Sequence, residues 1–187
     1  IKVWEKENDR SYIKFQKSLV KTIEKLIIKR NCKNVADIGC GPAFVIHFLS
    51  QKYPKIDFIG FDPYEPIIKK NRKFSSKNLS FSVATIDNLP NKKYDLIISL
   101  GVLHYSKYPL KHIDILMNYL NKNGALFCNY PNKTLLYSME KKKSVDIERF
   151  KFMFKKVNLI TIKDIKKKYS CKIIRETKKG NKFVLIS

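Results

Sequence analysis

Residues 35–44 read V-A-D-I-G-C-G-P-A-F, and this segment constrains the fold more than any other. A short run suited to a buried strand passes without a linker into two glycines one residue apart. Glycine enters left-handed backbone without steric cost, so Gly39 and Gly41 let the chain reverse sharply at the strand's end. A strand that ends this way and opens a helix brings main-chain N–H groups toward a nucleotide-like ligand at the helix N-terminus. A turn that merely joins a strand to a helix would look the same in isolation, so the rest of the chain has to decide.

The rest alternates strand and helix patterns. Residues 9–29 carry Tyr12, Ile13, Phe15, Leu19, Val20, Ile23, Leu26 and Ile27 at helical spacing with charge between them. This predicts an amphipathic helix capped by Asp9 or Ser11. Strands are predicted over 35–38, 57–61, 79–84, 94–100 and 125–130, with helices over 43–52, 66–73 and 108–120. The run Y-D-L-I-I-S-L at 94–100 is the continuous apolar pattern of a strand buried on both faces. Residues 121–124 stop the helix before the fifth strand. Beyond Pro131, Lys-rich helices over 144–156 and 161–169 precede strands over 171–176 and 182–186, with Lys179-Gly180-Asn181 as a hairpin turn. Alternation of this kind predicts an α/β fold, doubly wound and mostly parallel, with helices on both faces and antiparallel strands closing one edge.

At 187 residues the chain suits a single domain able to bury a core without covalent staples. It contains no linker-like stretch and no repeat. No apolar run is long enough to cross a bilayer, and nothing at the start reads as a secretory signal, although the chain begins at Ile1. Cys32, Cys40, Cys128 and Cys171 are scattered, with no C-x-x-C pair and no histidine at ligand spacing, so no metal is expected. Reduced thiols and a cytoplasmic location fit that pattern.

The formal charge is +23, and a field of that size favours polyanions. It is uneven: residues 141–187 hold sixteen Lys and Arg against four Asp and Glu, a balance of +12. One reading is a basic face for RNA or another acidic partner. The other is compositional, a Lys-, Asn- and Ile-rich chain poor in Gly and Ala whose solvated faces default to Lys. Lys far exceeds Arg, whereas bidentate phosphate and base recognition favours Arg.

The glycine turn separates two cofactor classes. Dinucleotide-binding domains carry G-x-G-x-x-G at this place, but here Phe44 replaces the third glycine. Asp37, Gly39, Gly41 and Ala43 instead fill the pattern acid-x-Gly-x-Gly-x-Gly/Ala. In this form the segment resembles motif I of the class I S-adenosylmethionine-dependent methyltransferases, and the likeness extends over essentially the whole chain. The resemblance implies a three-layer, seven-stranded sheet in the order 3-2-1-4-5-7-6 with the last strand antiparallel. It further implies S-adenosylmethionine as methyl donor, held at Asp37, Gly39, Cys40, Gly41 and Ala43, with S-adenosylhomocysteine as product. Residues 1–31 would form an N-terminal helical cap and 132–169 a Lys-rich insertion.

Other segments extend the likeness. Asp62, in F-I-G-F-D-P with Pro63 after it, stands where the family's carboxylate accepts both ribose hydroxyls; a helix cap is its plainer use. Residues 84–90, A-T-I-D-N-L-P, are similar to the family's adenine-binding turn. Thr85 replaces the usual acid there, so Thr85 or Asp87 would meet the exocyclic amine while Ile86 packs on the ring; a polar loop with a proline stop is the alternative. Residues 99–105, S-L-G-V-L-H-Y, are similar to the segment that faces the reacting methyl group in the family's small-molecule branch. Ser99, Leu100 and Gly101 would border the methionine portion. His104 is the first candidate general base and Tyr105 the second, against the commoner use of a lone histidine in structure. Tyr12 and Tyr137 would line the acceptor pocket.

The absences narrow the acceptor. No Asn/Asp-Pro-Pro-aromatic motif follows the fourth strand, no Pro-Cys nucleophile is present, and no paired-glutamate loop occurs. A small-molecule acceptor is therefore expected. The rivals are an RNA methyltransferase that grips phosphates with its basic C-terminal quarter, and a cofactor-binding scaffold without turnover.

Overall fold

The computed structural model describes residues 10–133, 158–177 and 180–187. Tyr137, Lys179 and the helix expected over 144–156 lie outside them, as does the side chain of Tyr12. The described residues divide into two units, with the boundary between Thr85 and Ile86.

The first unit contains helix α1 (Arg10–Arg30), strand β1 (Asn34–Ile38), helix α2 (Phe44–Lys52), strand β2 (Asp57–Asp62), helix α3 (Glu65–Asn71) and strand β3 (Leu79–Val83), with a 3-10 turn at Arg72–Phe74. Helix α1 forms where the apolar period predicts it. Leu19, Val20, Ile23, Leu26 and Ile27 are buried while Lys17, Lys21 and Lys25 face out. Each aliphatic side chain buried in this way contributes about 1.5–3 kcal/mol before the entropy of ordering is subtracted. Helix α2 packs against α1, and α3 packs against β2 and β3. The three strands are parallel, in a register that lines up Asp37, Gly60 and Phe81 across them. The Asn78 side-chain amide donates to the carbonyls of Ser50, Tyr53 and Ile56 at 3.0–3.2 Å. It thereby satisfies carbonyls left over where α2 ends.

The second unit contains β4 (Tyr94–Ser99), α4 (Pro109–Asn118), β5 (Leu120–Asn129), α5 (Ile162–Lys166), β6 (Cys171–Glu176) and β7 (Lys182–Ile186), with 3-10 turns at Ile86–Asn88 and Leu103–Tyr105. Strand β5 runs parallel to β4 and antiparallel to β7, which is antiparallel to β6. Two bounds differ from expectation by more than two residues. The ladder of β5 begins at Leu120 rather than after Gly124, because Tyr94 pairs with Leu120 before a bulge and Leu96 then pairs with Ala125. The turn residues are there, with Asn123 at φ 70°, but they lie inside the strand. Helix α5 covers only five residues of the nine expected.

The sheet has seven strands in the order β3-β2-β1-β4-β5-β7-β6, mostly parallel. Burial follows that order. Every β4 residue except Asp95 is buried. Edge strand β3 buries Leu79 and Phe81 but exposes Ser80, Ser82 and Val83, and edge strand β6 buries none of its residues. The charged side chains Lys172, Arg175 and Glu176 on β6 discourage further strand pairing. Among the described residues no helix is long and apolar enough to cross a membrane.

Candidate cofactor site

In the first unit the chain leaves β1 through a loop whose conformation requires unusual backbone angles. Gly39, Gly41 and Ala43 have φ of 73°, 49° and 59°. Glycine adopts these without strain, while Ala43, at the N-terminus of α2, takes on the cost a side chain incurs in left-handed backbone. The N–H groups of Gly39, Cys40, Gly41 and Ala43 are taken up within the protein. Gly39 and Cys40 both donate to the Phe61 carbonyl at 2.7 and 2.9 Å, and Ala43 donates to the Cys40 carbonyl at 2.9 Å. Gly41 donates to Asp62 Oδ2 at 3.0 Å, and Pro42 has no N–H to give. The loop spends its donors on the end of β2.

The beneficiary is Asp62. Its Oδ2 accepts from Gly41 and its Oδ1 from the Tyr64 N–H at 2.9 Å, so both oxygens are fixed in direction. Each keeps a second lone pair, and the residue is partly exposed. Pro63 follows, exposed. Asp37 lies behind, 7% exposed. Burial, with a smaller contribution from the Asp62 charge, pushes its carboxyl up to about 7. Two acidic groups therefore face the same small region of a strongly basic protein.

Two further residues complete this frame. A Cβ on Gly60 would sit 2.8 Å from Phe81 Cδ1 and 2.9 Å from Cys40 Sγ. The missing side chain at 60 is thus the space into which the Cys40 thiol packs. Burial and the neighbouring carboxylates push that thiol far above its ordinary range, so Cys40 offers the site its backbone rather than a nucleophile. Asn71, at the end of α3 and 2% exposed, donates from Nδ2 to the Gly41 carbonyl at 2.7 Å and touches Cys40 Sγ at 3.8 Å. Sequence reasoning missed Asn71. Its signal was an uncharged amide three residues after buried Ile68 in a Lys-rich helix.

Thr85 closes the first unit, exposed, and Ile86 opens the second, buried. Asp87 is exposed, its Oδ2 3.7 Å from His112 Nε2 on α4. At the end of β4, Ser99 is fully buried and its Oγ has no hydrogen-bond partner among the described residues. Leu100 is half-buried and Gly101 exposed with φ 77°. The Gly101 N–H donates to Asn129 Oδ1 at 2.7 Å, and Asn129 Nδ2 donates to Asn181 Oδ1 at 3.3 Å. Asn129, which sequence reasoning did not assign to the site, thus ties the loop after β4 to the end of β5.

His104 is 4% exposed, and burial lowers it to about 4. It is neutral near pH 7 and a weak base. Tyr105, at 61% exposure, projects to the surface. Still within the second unit, Tyr108, Pro109, Leu110, Lys111, Asn158 and Ile160 line a cavity of about 390 Å³, in the size range of small-ligand pockets.

A seven-stranded sheet in this order, with a glycine turn after β1 and a carboxylate closing β2, defines a class I methyltransferase architecture. Solved structures share it. Plantazolicin methyltransferase BpumL, in complex with a triazolic desmethylPZN analog and SAH, superposes with a TM-score of 0.69 at 17% identity, over all of this chain and 93% of that one. Magnesium protoporphyrin IX methyltransferase (ChlM) from Synechocystis PCC 6803, with bound SAH, gives 0.65 at 20% identity over 93% of this chain and 83% of that one. The chain belongs to the methyltransferase domain family, whose model matches residues 29–180. Among curated proteins it is similar to tRNA U34 carboxymethyltransferase of Campylobacter fetus subsp. fetus, 33% identical over 100 residues, which are 51% of this chain and 35% of that protein. The protein of the same name from Sulfurimonas denitrificans is 29% identical over 100 residues, 50% of this chain and 33% of its own length. Each alignment spans about a third of those relatives.

Proposed function

We propose that this methyltransferase takes its methyl group from S-adenosylmethionine and delivers it to a small-molecule acceptor. The observation that carries the cofactor reading is the use of the glycine loop's donors. A loop that binds pyrophosphate keeps its N–H groups for the ligand, whereas this one directs them to Phe61 O and Asp62. The result is an oriented carboxylate beside a second buried acid. That arrangement disfavours phosphates and suits a ligand with a ribose diol and positive charge. The remaining lone pairs of Asp62 would accept the two ribose hydroxyls.

The bound cofactor supplies an electrophilic methyl group on a sulfonium, and the chain's own task is to orient the acceptor and exclude water. The Gly101 N–H, bonded to Asn129 Oδ1, ties the loop after β4 to the end of β5. His104, neutral and weakly basic, serves an acceptor that needs no strong base to attack. The cavity of about 390 Å³ beside α4 has room for a small acceptor.

A second reading is methyl transfer to RNA, favoured by the names of the curated relatives and the +23 charge. One experiment separates the two: incubate the protein with methyl-tritiated S-adenosylmethionine and a lysate of its source cells, then sort the label by size and RNase sensitivity. Label in small, RNase-resistant material is the expected result. Label in large material that RNase reduces to fragments would replace the small-molecule acceptor by RNA.

A further inference from the structure

Asn71 lies outside motif I, on a different element from the glycine loop, yet it is fastened to the centre of that loop. Its Nδ2 donates to the Gly41 carbonyl at 2.7 Å, while the Gly41 N–H is held by Asp62 Oδ2 at 3.0 Å. These two bonds grip different peptide planes. The N–H belongs to the Cys40–Gly41 peptide and the carbonyl to the Gly41–Pro42 peptide, so together they set both dihedrals of Gly41. Glycine has the widest backbone freedom of any residue, and Gly41 sits at φ 49°. Without a grip on each side, its N–H would not be held toward Asp62. Asn71 is 2% exposed on a helix that packs against β2 and β3, so its amide is a fixed rather than a mobile donor.

We propose that Asn71 is a positioning residue for the cofactor: through Gly41 it aims the Asp62 carboxylate at the ribose hydroxyls, without touching the cofactor itself. The assignment rests on the cofactor reading above. Another side chain of this size would not serve equally well. Leucine fills the space but gives no hydrogen bond. Aspartate keeps the shape, but when ionised it sets a carboxylate against a carbonyl.

The test is a double-mutant cycle on binding of S-adenosylhomocysteine, measured by calorimetry with Asn71→Leu, Asn71→Asp, Asp62→Asn and the combined variants. A neutral hydrogen bond that acts through geometry is expected to be worth a loss of roughly three- to tenfold. Asn71→Leu should weaken binding by that factor in the native background and by less than about twofold once Asp62 is Asn, because coupled residues are not additive. Asn71→Asp preserves volume and covers the case in which the leucine variant does not fold. Relative to wild type at the same pH, its deficit should narrow as acidification protonates the new carboxyl and restores a donor. Equal losses in both Asp62 backgrounds would reduce Asn71 to a packing role and overturn the proposal, as would variants that bind like wild type. If the wild-type chain does not bind S-adenosylhomocysteine at all, the cofactor reading falls and takes this one with it.

Discussion

Asp37 and His104 are both buried ionisable residues, and burial acts on them in opposite directions. Asp37 is raised to about 7 and His104 lowered to about 4, so both are largely neutral in the folded state at pH 5–6. Between pH 4 and 7 the folded chain holds a proton on Asp37 that the unfolded chain has lost, so that group costs stability as pH rises. Over nearly the same window the unfolded chain holds a proton on His104 that the folded chain refuses, so that group contributes stability as pH rises. The two effects are roughly 4 and 3 kcal/mol over their windows at 1.36 kcal/mol per unit, and they largely offset. Asp37→Asn should therefore unmask a stability that climbs from pH 4 to 6.5, and His104→Leu one that declines from pH 4 to 7. Urea denaturation at several pH values reads both slopes, and parallel profiles for the two variants would refute this account.

Elements differ in how openly the sequence announces them. Strand β4 was plain because a continuous apolar run has few other uses, and β6 and β7 were found to the residue because charge and turn residues bracket them. The start of β5 was hidden, since N-K-N-G at 121–124 has the composition of a turn and only pairing with Tyr94 makes it a bulge inside a strand. Within the loop, Gly39 and Gly41 were legible because left-handed backbone favours glycine there, whereas Asp37 and Asp62 stood out through the resemblance of their segments to the family's pattern. Asn71 and Asn129 were not legible, because each is defined by a hydrogen bond to a residue 30 and 28 positions away. Helix α5 is too short to persist by propensity, and it begins with a reciprocal cap. The Thr161 side chain accepts from Asp164 N–H and the Asp164 carboxylate accepts from Thr161 N–H at 2.8 Å. Thr161→Ala should cost about 1 kcal/mol and lower the melting temperature by a few degrees; an unchanged melting curve would mean that packing of Ile165 alone holds the helix.

At the scale of the whole molecule, a chain of net charge +23 carries two neighbouring acidic residues, Asp37 and Asp62, at its candidate cofactor site. The two features make separable predictions. Cofactor affinity depends on short, oriented contacts at Asp62 and should change little between 50 and 300 mM salt. Any association with RNA through the exterior should fall steeply over the same range, and filter binding at several salt concentrations distinguishes the two. The loop after β1 and the carboxylate after β2 are proposed as the binding site for S-adenosylmethionine, and calorimetric titration of S-adenosylhomocysteine into the wild-type chain and into Asp62→Ala probes that site. Saturable one-site binding to wild type is expected, weakened at least about tenfold in the variant, as follows when hydrogen bonds to a charged group are removed. Equal affinity for both proteins, or no binding to either, would contradict the proposal.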